Sequence, residues 1–357
     1  MSRVLVVSTP MGVLGSGGGG GVELTATAIV AGLLGRGHGV TVLAGEGSGL
    51  PASCAGARLE TQPGVDQPSW QHLDAAAPIT IPLNARLPRF WQWALAQQDQ
   101  FDVILNLGYD WLPFWLTPHF ATPLCHLVSM GSVATVMDGA IAAVGQLHPE
   151  RLAFHTRSQA AEFPLAGAPI VLGNGLDLSR YHFRPEAEAV LGWAGRIAPE
   201  KGLEDGAQVA ARLGWPLRVW GLRQDEAYAA AVAAAVPAGV IDWRGFLPTE
   251  DLQRELGACQ VFLNTPKWNE AFGNVVVEAM ACGVPVATYA RGGPGELVIE
   301  ATNGALAEPD NLDALTAAVG RAAGVERAGC RRWVEMHHGQ AAFAERLEAW
   351  LLQVLTA

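Results

Sequence analysis

The chain has 357 residues, half of them apolar, and a formal net charge of −11. That length favours two domains, the composition can fill two cores, and the negative charge excludes nucleic acid or an anionic bilayer as the main partner, since both require a basic face. The five cysteines, Cys54, Cys125, Cys259, Cys282 and Cys330, are odd in number and widely spaced, which predicts buried free thiols rather than a disulfide framework or a metal site.

The apolar part of residues 1–10 is too short for a signal peptide and no apolar run reaches transmembrane length, so a soluble, cytoplasmic protein without stable membrane association is expected. Residues 4–8 read as a buried strand, 15–21 as a glycine loop, 22–34 as a helix and 40–43 as the next strand. Strand, glycine loop, helix and strand form a βαβ unit, the start of a parallel α/β sheet. Residues 101–106 and 123–128 are further strands, with loops at 108–113 and 129–132 leaving their carboxyl ends, where such sheets hold ligands. The run 170–177 closes this half as a last strand and a crossover turn.

A second series of short apolar strands follows at 190–193, 217–220, 240–243, 261–264 and 284–288, separated by alanine-rich helical segments. The chain therefore divides into a first domain over 1–171, a second over 172–338 and an amphipathic C-terminal segment over 339–357. Phe343, Leu347, Trp350, Leu351 and Leu355 give that segment one apolar face, which predicts a helix packing back on the first domain.

Chemistry concentrates in the second half. Glu270-Ala271-Phe272-Gly273-Asn274 precedes a short buried helix that contains Glu278 and is closed by Gly283-Val284-Pro285. A helix start offers backbone N–H groups and a positive dipole end, which suits a phosphate or a sugar edge, and the two glutamates suit hydroxyls on either side. Lysine occurs only twice, at Lys201 and Lys267, both in loop-like segments. Arg196 and Lys201 follow the strand at 190–193 and form a sensible diphosphate clamp, a forked guanidinium plus a mobile point charge; two ordinary exposed loop charges are the plain alternative.

Taken together, Gly20-Gly21-Val22-Glu23, Gly195-Arg196-Ile197, Lys201-Gly202, Glu270 to Glu278 and Ala279-Met280-Ala281-Cys282-Gly283-Val284-Pro285-Val286 resemble the retaining glycosyltransferases of family 4. The resemblance covers nearly the whole chain. It implies the GT-B fold: two Rossmann-like domains facing across a cleft, the first binding the acceptor, the second the nucleotide sugar. Within the family, segments 7–10, 105–113, 127–132, 191–205 and 265–268 are similar to cyanobacterial glucosyltransferases acting from UDP-glucose on tetrahydrobiopterin. The implied activity is retaining transfer of glucose to a side-chain hydroxyl of that reduced pterin.

The same resemblance implies roles for individual residues. Arg196 and Lys201 would bind the diphosphate, Glu278 the ribose hydroxyls and Glu270 the sugar hydroxyls, with Glu270, Arg196 and Lys201 carrying the chemistry. Backbone groups of Ala271, Phe272, Gly273 and Asn274 would face sugar and phosphates, Gly17 and Gly18 would join them, and Gly245 and Phe246 would lie near the base. Many relatives have a histidine near the reacting sugar where this chain has Met130, and His126 on the preceding strand is expected to point elsewhere. Acceptor contacts are expected from Gly20, Glu23, Asn106, Tyr109, Asp110 and Met130.

Departure of a nucleoside diphosphate builds negative charge on the leaving group, which positive side chains and helix N-termini can stabilise. No Asp-x-Asp pair occurs in the sequence, in keeping with a reaction that uses no metal or other cofactor. The family implies front-face attack, and no carboxylate stands out as a nucleophile. A pterin presents an amino group and a ring N–H side by side, which a carboxylate can accept with both oxygens; Asp110, Asp138 and Glu23 are candidates, with a turn cap, a solvated helical residue and a dipole partner as their respective plain readings. The aromatics Phe90, Trp91, Trp93, Tyr109, Trp111, Phe114 and Trp115 are mostly core, and some could wall an acceptor pocket. A nicotinamide dehydrogenase using Glu46, a GT-B epimerase, a sugar or lipid acceptor, a non-catalytic carbohydrate-binding protein and a homo-oligomer all stay open.

Overall fold

A computed structural model of the chain describes residues 1–16, 20–70 and 73–357. They form two compact units, 1–175 with 340–357, and 176–339. The first unit holds seven parallel strands: β1 (Arg3–Val7), β2 (Gly39–Gly45), β3 (Arg58–Gln62), β4 (Val103–Asn106), β5 (Leu124–Leu127), β6 (Leu152–Phe154) and β7 (Ile170–Val171), in the order β3-β2-β1-β4-β5-β6-β7. The second holds β8 (Glu188–Ala194), β9 (Leu217–Trp220), β10 (Ile241–Gly245), β11 (Cys259–Asn264), β12 (Val286–Tyr289) and β13 (Gly304–Ala307), in the order β10-β9-β8-β11-β12-β13, again parallel. Each sheet reverses its strand order beside its first strand, between β1 and β4 and between β8 and β11. Loops leaving those strands diverge to opposite faces there and leave room for a ligand.

The expected α/β architecture is present, with three strands beyond those read from the sequence. β3 (Arg-Leu-Glu-Thr-Gln) is an edge strand with no buried residue, and β6 and β13 have only three and four residues. None of them carries an apolar run long enough to register as a strand. Several edges also shift: the strand expected at 284–288 runs Val286–Tyr289, and the one at 240–243 runs Ile241–Gly245.

The C-terminal helix, Gln340–Thr356, belongs to the first unit. Phe343, Leu347, Trp350, Leu351 and Val354 are buried in one cluster with Ile29, Val30 and Leu33 of the helix Gly20–Gly35. At roughly 1.5–3 kcal/mol for each large apolar side chain withdrawn from water, this face secures the helix. Polar contacts fix its register: Gln340 donates to the Ala28 carbonyl, Arg346 Nε to that of Leu172 (2.8 Å), and Trp350 Nε1 to that of Glu150 (2.7 Å). All five cysteines are buried free thiols. Among the described residues no helix is long and apolar enough to cross a membrane.

Candidate active site

In the second unit, the loop after β8 carries Arg196 and Lys201, and the loop after β11 carries Lys267, Trp268 and Glu270, so the strand-order reversal brings them together. The two loops are joined through the backbone. Lys267 N–H donates to the Glu200 carbonyl (2.9 Å), and the Thr265 hydroxyl, itself accepting from Trp193 Nε1 (3.1 Å), donates to the Gly202 carbonyl (2.7 Å). Gly202 has φ +64°, and a Cβ there would stand 2.1 Å from the Thr265 carbonyl oxygen. Only glycine allows that approach.

Lys201 Nζ lies 2.6 Å from Glu270 Oε1 and 5.4 Å from the centre of the Trp268 ring. Glu270 Oε2 and Trp268 Nε1 are enclosed without hydrogen-bond partners among the described residues, a costly arrangement of the kind found where ligands act. Arg196 has other partners, Glu200 at 2.9 Å and Gln224 at 3.0 Å. The sequence grouped Arg196 with Lys201; the structure directs them to different side chains.

Glu278 lies on the helix Asn274–Ala281, buried, and accepts a hydrogen bond from the Tyr181 hydroxyl (3.1 Å). Burial raises its carboxyl above the ordinary range, against the pull of that hydroxyl and of Arg180. Gly273, with φ +96°, provides the left-handed turn into this helix. Phe272 is buried against the His338 ring, 5.4 Å between centres. Ala271 and Asn274 flank this pair, completing the segment expected to face sugar and phosphates.

The sequence reading missed what holds this segment. Gly293 N–H donates to the Glu270 carbonyl (2.6 Å), and a Cβ on Gly293 would fall 2.4 Å from the Phe272 carbonyl oxygen. Arg291-Gly292-Gly293-Pro294 was a legible turn signal, but nothing in it names its partner loop. Gly293→Ala is expected to cost about 1–3 kcal/mol of stability, as overpacking does, and to displace Glu270; urea unfolding and turnover of the same sample check both.

Lys267 has a separate setting. It is paired with Asp205 and with Asp310 (3.1 Å), Tyr289 donates its hydroxyl to Asp205, and Arg291 pairs with Asp310 while donating to the Pro266 carbonyl (2.9 Å). The second lysine is thus committed to bracing its own loop. Gly245, at φ +71°, ends β10 with its carbonyl accepting from Gly221, and Phe246 beside it is 57% exposed.

In the first unit, Gly17 and Gly18 lie outside the described residues, while Gly20 opens the helix Gly20–Gly35. Glu23, in its first turn, accepts from the Gly15 N–H. The Asn106 amide is engaged internally, donating to the Gly108 carbonyl (2.8 Å), contacting His126 Nδ1 (3.1 Å) and accepting from the Gly108 N–H (3.0 Å). Through these bonds it shapes the turn after β4. His126 is fully buried and stacked on Phe114 (4.1 Å between rings), its ring pushed down to about 3 by burial; it points into the core, as expected. Tyr109 is buried with its hydroxyl donating to the Gly131 carbonyl (3.1 Å), and Met130 is buried in the same cluster. Asp138 accepts from the Ser132 hydroxyl (2.8 Å). Of the seven aromatics, Phe90, Trp91, Tyr109 and Phe114 are core, whereas Trp115 is exposed.

Asp110 is buried at the carboxyl end of β4, at the N-cap position of the helix Trp111–Leu116, yet makes no capping bond. Burial pushes its carboxyl up to about 7, with Trp70 opposing the rise. A carboxyl whose folded pKa lies above its unfolded value favours the fold most when protonated, and that advantage is lost as pH rises from about 4 to about 7. Asp110→Asn is therefore expected to gain stability relative to the parent over this window, by up to about 4 kcal/mol at pH 8. Thermal unfolding of both proteins at pH 4 and pH 8 checks it; a constant difference would contradict it.

Residues 177–327 match the family "Glycosyl transferases group 1". That match lies within the second unit and spans most of it. Over 146 residues the chain is 36% identical to the 2-deoxystreptamine N-acetyl-D-glucosaminyltransferase of Streptomyces fradiae, an alignment covering 39% of this chain and 34% of that protein. The chain thus spans about a third of that relative's length. Among solved structures, AviGT4, a glycosyltransferase involved in avilamycin A biosynthesis, superposes with a TM-score of 0.74 at 21% identity, over 100% of this chain and 99% of that one. HepE of Anabaena, solved in complex with UDP-glucose, gives 0.71 at 18% identity, over the whole of both chains. The fold is GT-B.

Proposed function

We propose that the chain is a retaining glycosyltransferase that moves glucose from UDP-glucose to a side-chain hydroxyl of a reduced pterin, tetrahydrobiopterin. The observation that carries the donor half is the Lys201–Glu270 pair at the strand-order reversal of a group 1 domain, with buried Glu278 on the adjoining helix. Lys201 and Arg196 supply positive charge to the leaving diphosphate, the task that dominates such a reaction. Glu270, its Oε1 held by Lys201, presents the remaining oxygen to a sugar hydroxyl once the loop adjusts, and Glu278 takes the ribose. With those charges in place no metal-dependent step is required. The acceptor hydroxyl enters on the face the diphosphate leaves and passes its proton to a phosphate oxygen.

UDP-glucose is supported by the likeness to HepE, whose structure holds that molecule. The pterin is supported by the N-terminal segments and by Met130, a polarisable side chain suited to a flat ring. A sugar or cyclitol acceptor is the second reading, favoured by the Streptomyces relative that acts on 2-deoxystreptamine. Incubation with UDP-glucose and tetrahydrobiopterin, with and without a chelator, should release UDP and yield a glucosylated pterin in both cases. Product with a sugar or cyclitol and none with the pterin would overturn the acceptor and leave the glycosyl transfer standing.

A further inference from the structure

Glu278 is buried on the helix Asn274–Ala281, whose Val276, Val277, Ala279 and Met280 share one apolar cluster with Tyr181. A carboxylate loses hydration in such surroundings, and burial accordingly raises its pKa. Its hydrogen-bond donor is the Tyr181 hydroxyl, 3.1 Å from Oε1, which opposes that rise. With Oε1 so engaged, Oε2 is the oxygen left for a ligand.

This contact is fixed from both of its ends. Tyr181 closes the 3₁₀ turn Leu178–Arg180, whose start is capped by Asp177 accepting from the Ser179 N–H (3.1 Å). Arg331 ties that turn to the helix of Glu278, its Nη1 donating to the carbonyls of Tyr181 and Ala281, each at 2.8 Å. The tyrosine backbone is thereby held against the end of the helix that carries its hydroxyl's partner. Arg331 spends its charge on these carbonyls and on Glu335, and Arg180 faces Glu250 of the helix Thr249–Leu256 (3.9 Å), so among the described residues no cation is ion-paired with Glu278. A neutral hydroxyl orients the carboxylate and favours its ionised form without cancelling the charge that a ligand hydroxyl would meet.

We propose that Tyr181 is a positioning residue for nucleotide recognition, holding the Glu278 carboxylate so that Oε2 accepts from the ribose hydroxyls. The inference rests on reading Glu278 as the ribose carboxylate. Of the other groups around Glu278, Arg180 lowers its pKa after Tyr181 does, the Cys282 thiol is itself pushed up by burial and then by Glu278, and His338 faces the Phe272 ring. Without the hydroxyl the pKa of Glu278 rises further, so the carboxylate is lost at a higher pH on acidification.

The test is calorimetric titration of the full chain and of Tyr181→Phe. At about pH 7.5 the variant should bind UDP about 3- to 10-fold more weakly, while its affinity for 2′,3′-dideoxyuridine diphosphate stays within about twofold of the parent's. UDP-glucose has no proton that titrates between about pH 5 and about pH 8, so the fall of its affinity on acidification reports the protein, and in the variant that fall should move to higher pH. Biosynthetic replacement of the four tyrosines by 3-fluorotyrosine, a stronger donor, should move it to lower pH, and decides the matter should Tyr181→Phe not fold. An unmoved pH profile, or equal weakening of both nucleotides, overturns the role of Tyr181. Parent protein that binds the dideoxy nucleotide as tightly as UDP would instead overturn the ribose role of Glu278 itself.

Discussion

Replacement of Glu270 by alanine is expected to lower turnover of UDP-glucose by about one to two orders of magnitude while changing UDP affinity by less than about threefold. The carboxylate faces the sugar in the proposed arrangement, so its loss removes a charged hydrogen bond, worth up to about 3 kcal/mol, and leaves Lys201 without its 2.6 Å partner. UDP lacks the sugar and should be nearly indifferent. Steady-state kinetics with UDP-glucose and titration with UDP provide both numbers. Equal loss in the two would place Glu270 on the nucleotide instead.

Lys267→Met is expected to produce the largest loss of stability among these variants, about 3 kcal/mol. It strands Asp205, whose side chain is 8% exposed, with only the Tyr289 hydroxyl beside it. Removing one partner of a buried ion pair costs about 3–5 kcal/mol, and the low end applies because Lys267 keeps 27% of its side chain open. Lys201→Met should cost less stability, since it breaks one ion pair where Lys267→Met breaks those with Asp205 and Asp310, and should bring a large loss of turnover, since in the proposed arrangement the charge it removes is the one aimed at the diphosphate. Denaturant unfolding and kinetics on the two variants would separate a bracing lysine from a reacting one. Similar profiles for both would undo that division.

How far the sequence reaches can be seen in these same residues. Glu270 and Glu278 were legible because one local segment carries both, a loop leading into a helix with a left-handed Gly273 between them. The strands β1, β2, β4 and β5 announced themselves as apolar runs. By contrast β3 has no apolar run, since an edge strand can remain half-wet. The brace of Lys267, Asp205, Tyr289 and Asp310 joins residues as much as 105 positions apart, and no spacing rule reveals it. The setting of Asn106 was hidden for a related reason. Polar residues at strand ends suit ligands, but they also satisfy turns, and the contacts of Asn106 to Gly108 and His126 are of the second kind.

The central claim is that the second unit holds a nucleotide sugar through Lys201, Glu270 and Glu278. Calorimetric titration of UDP into the intact chain and into Glu278→Ala tests it most directly. Saturable binding of one UDP per chain, weakened at least about tenfold by the substitution, is the result expected from loss of a carboxylate that accepts ribose hydroxyls. Absence of binding to the parent, or an unchanged affinity in the variant, would contradict it.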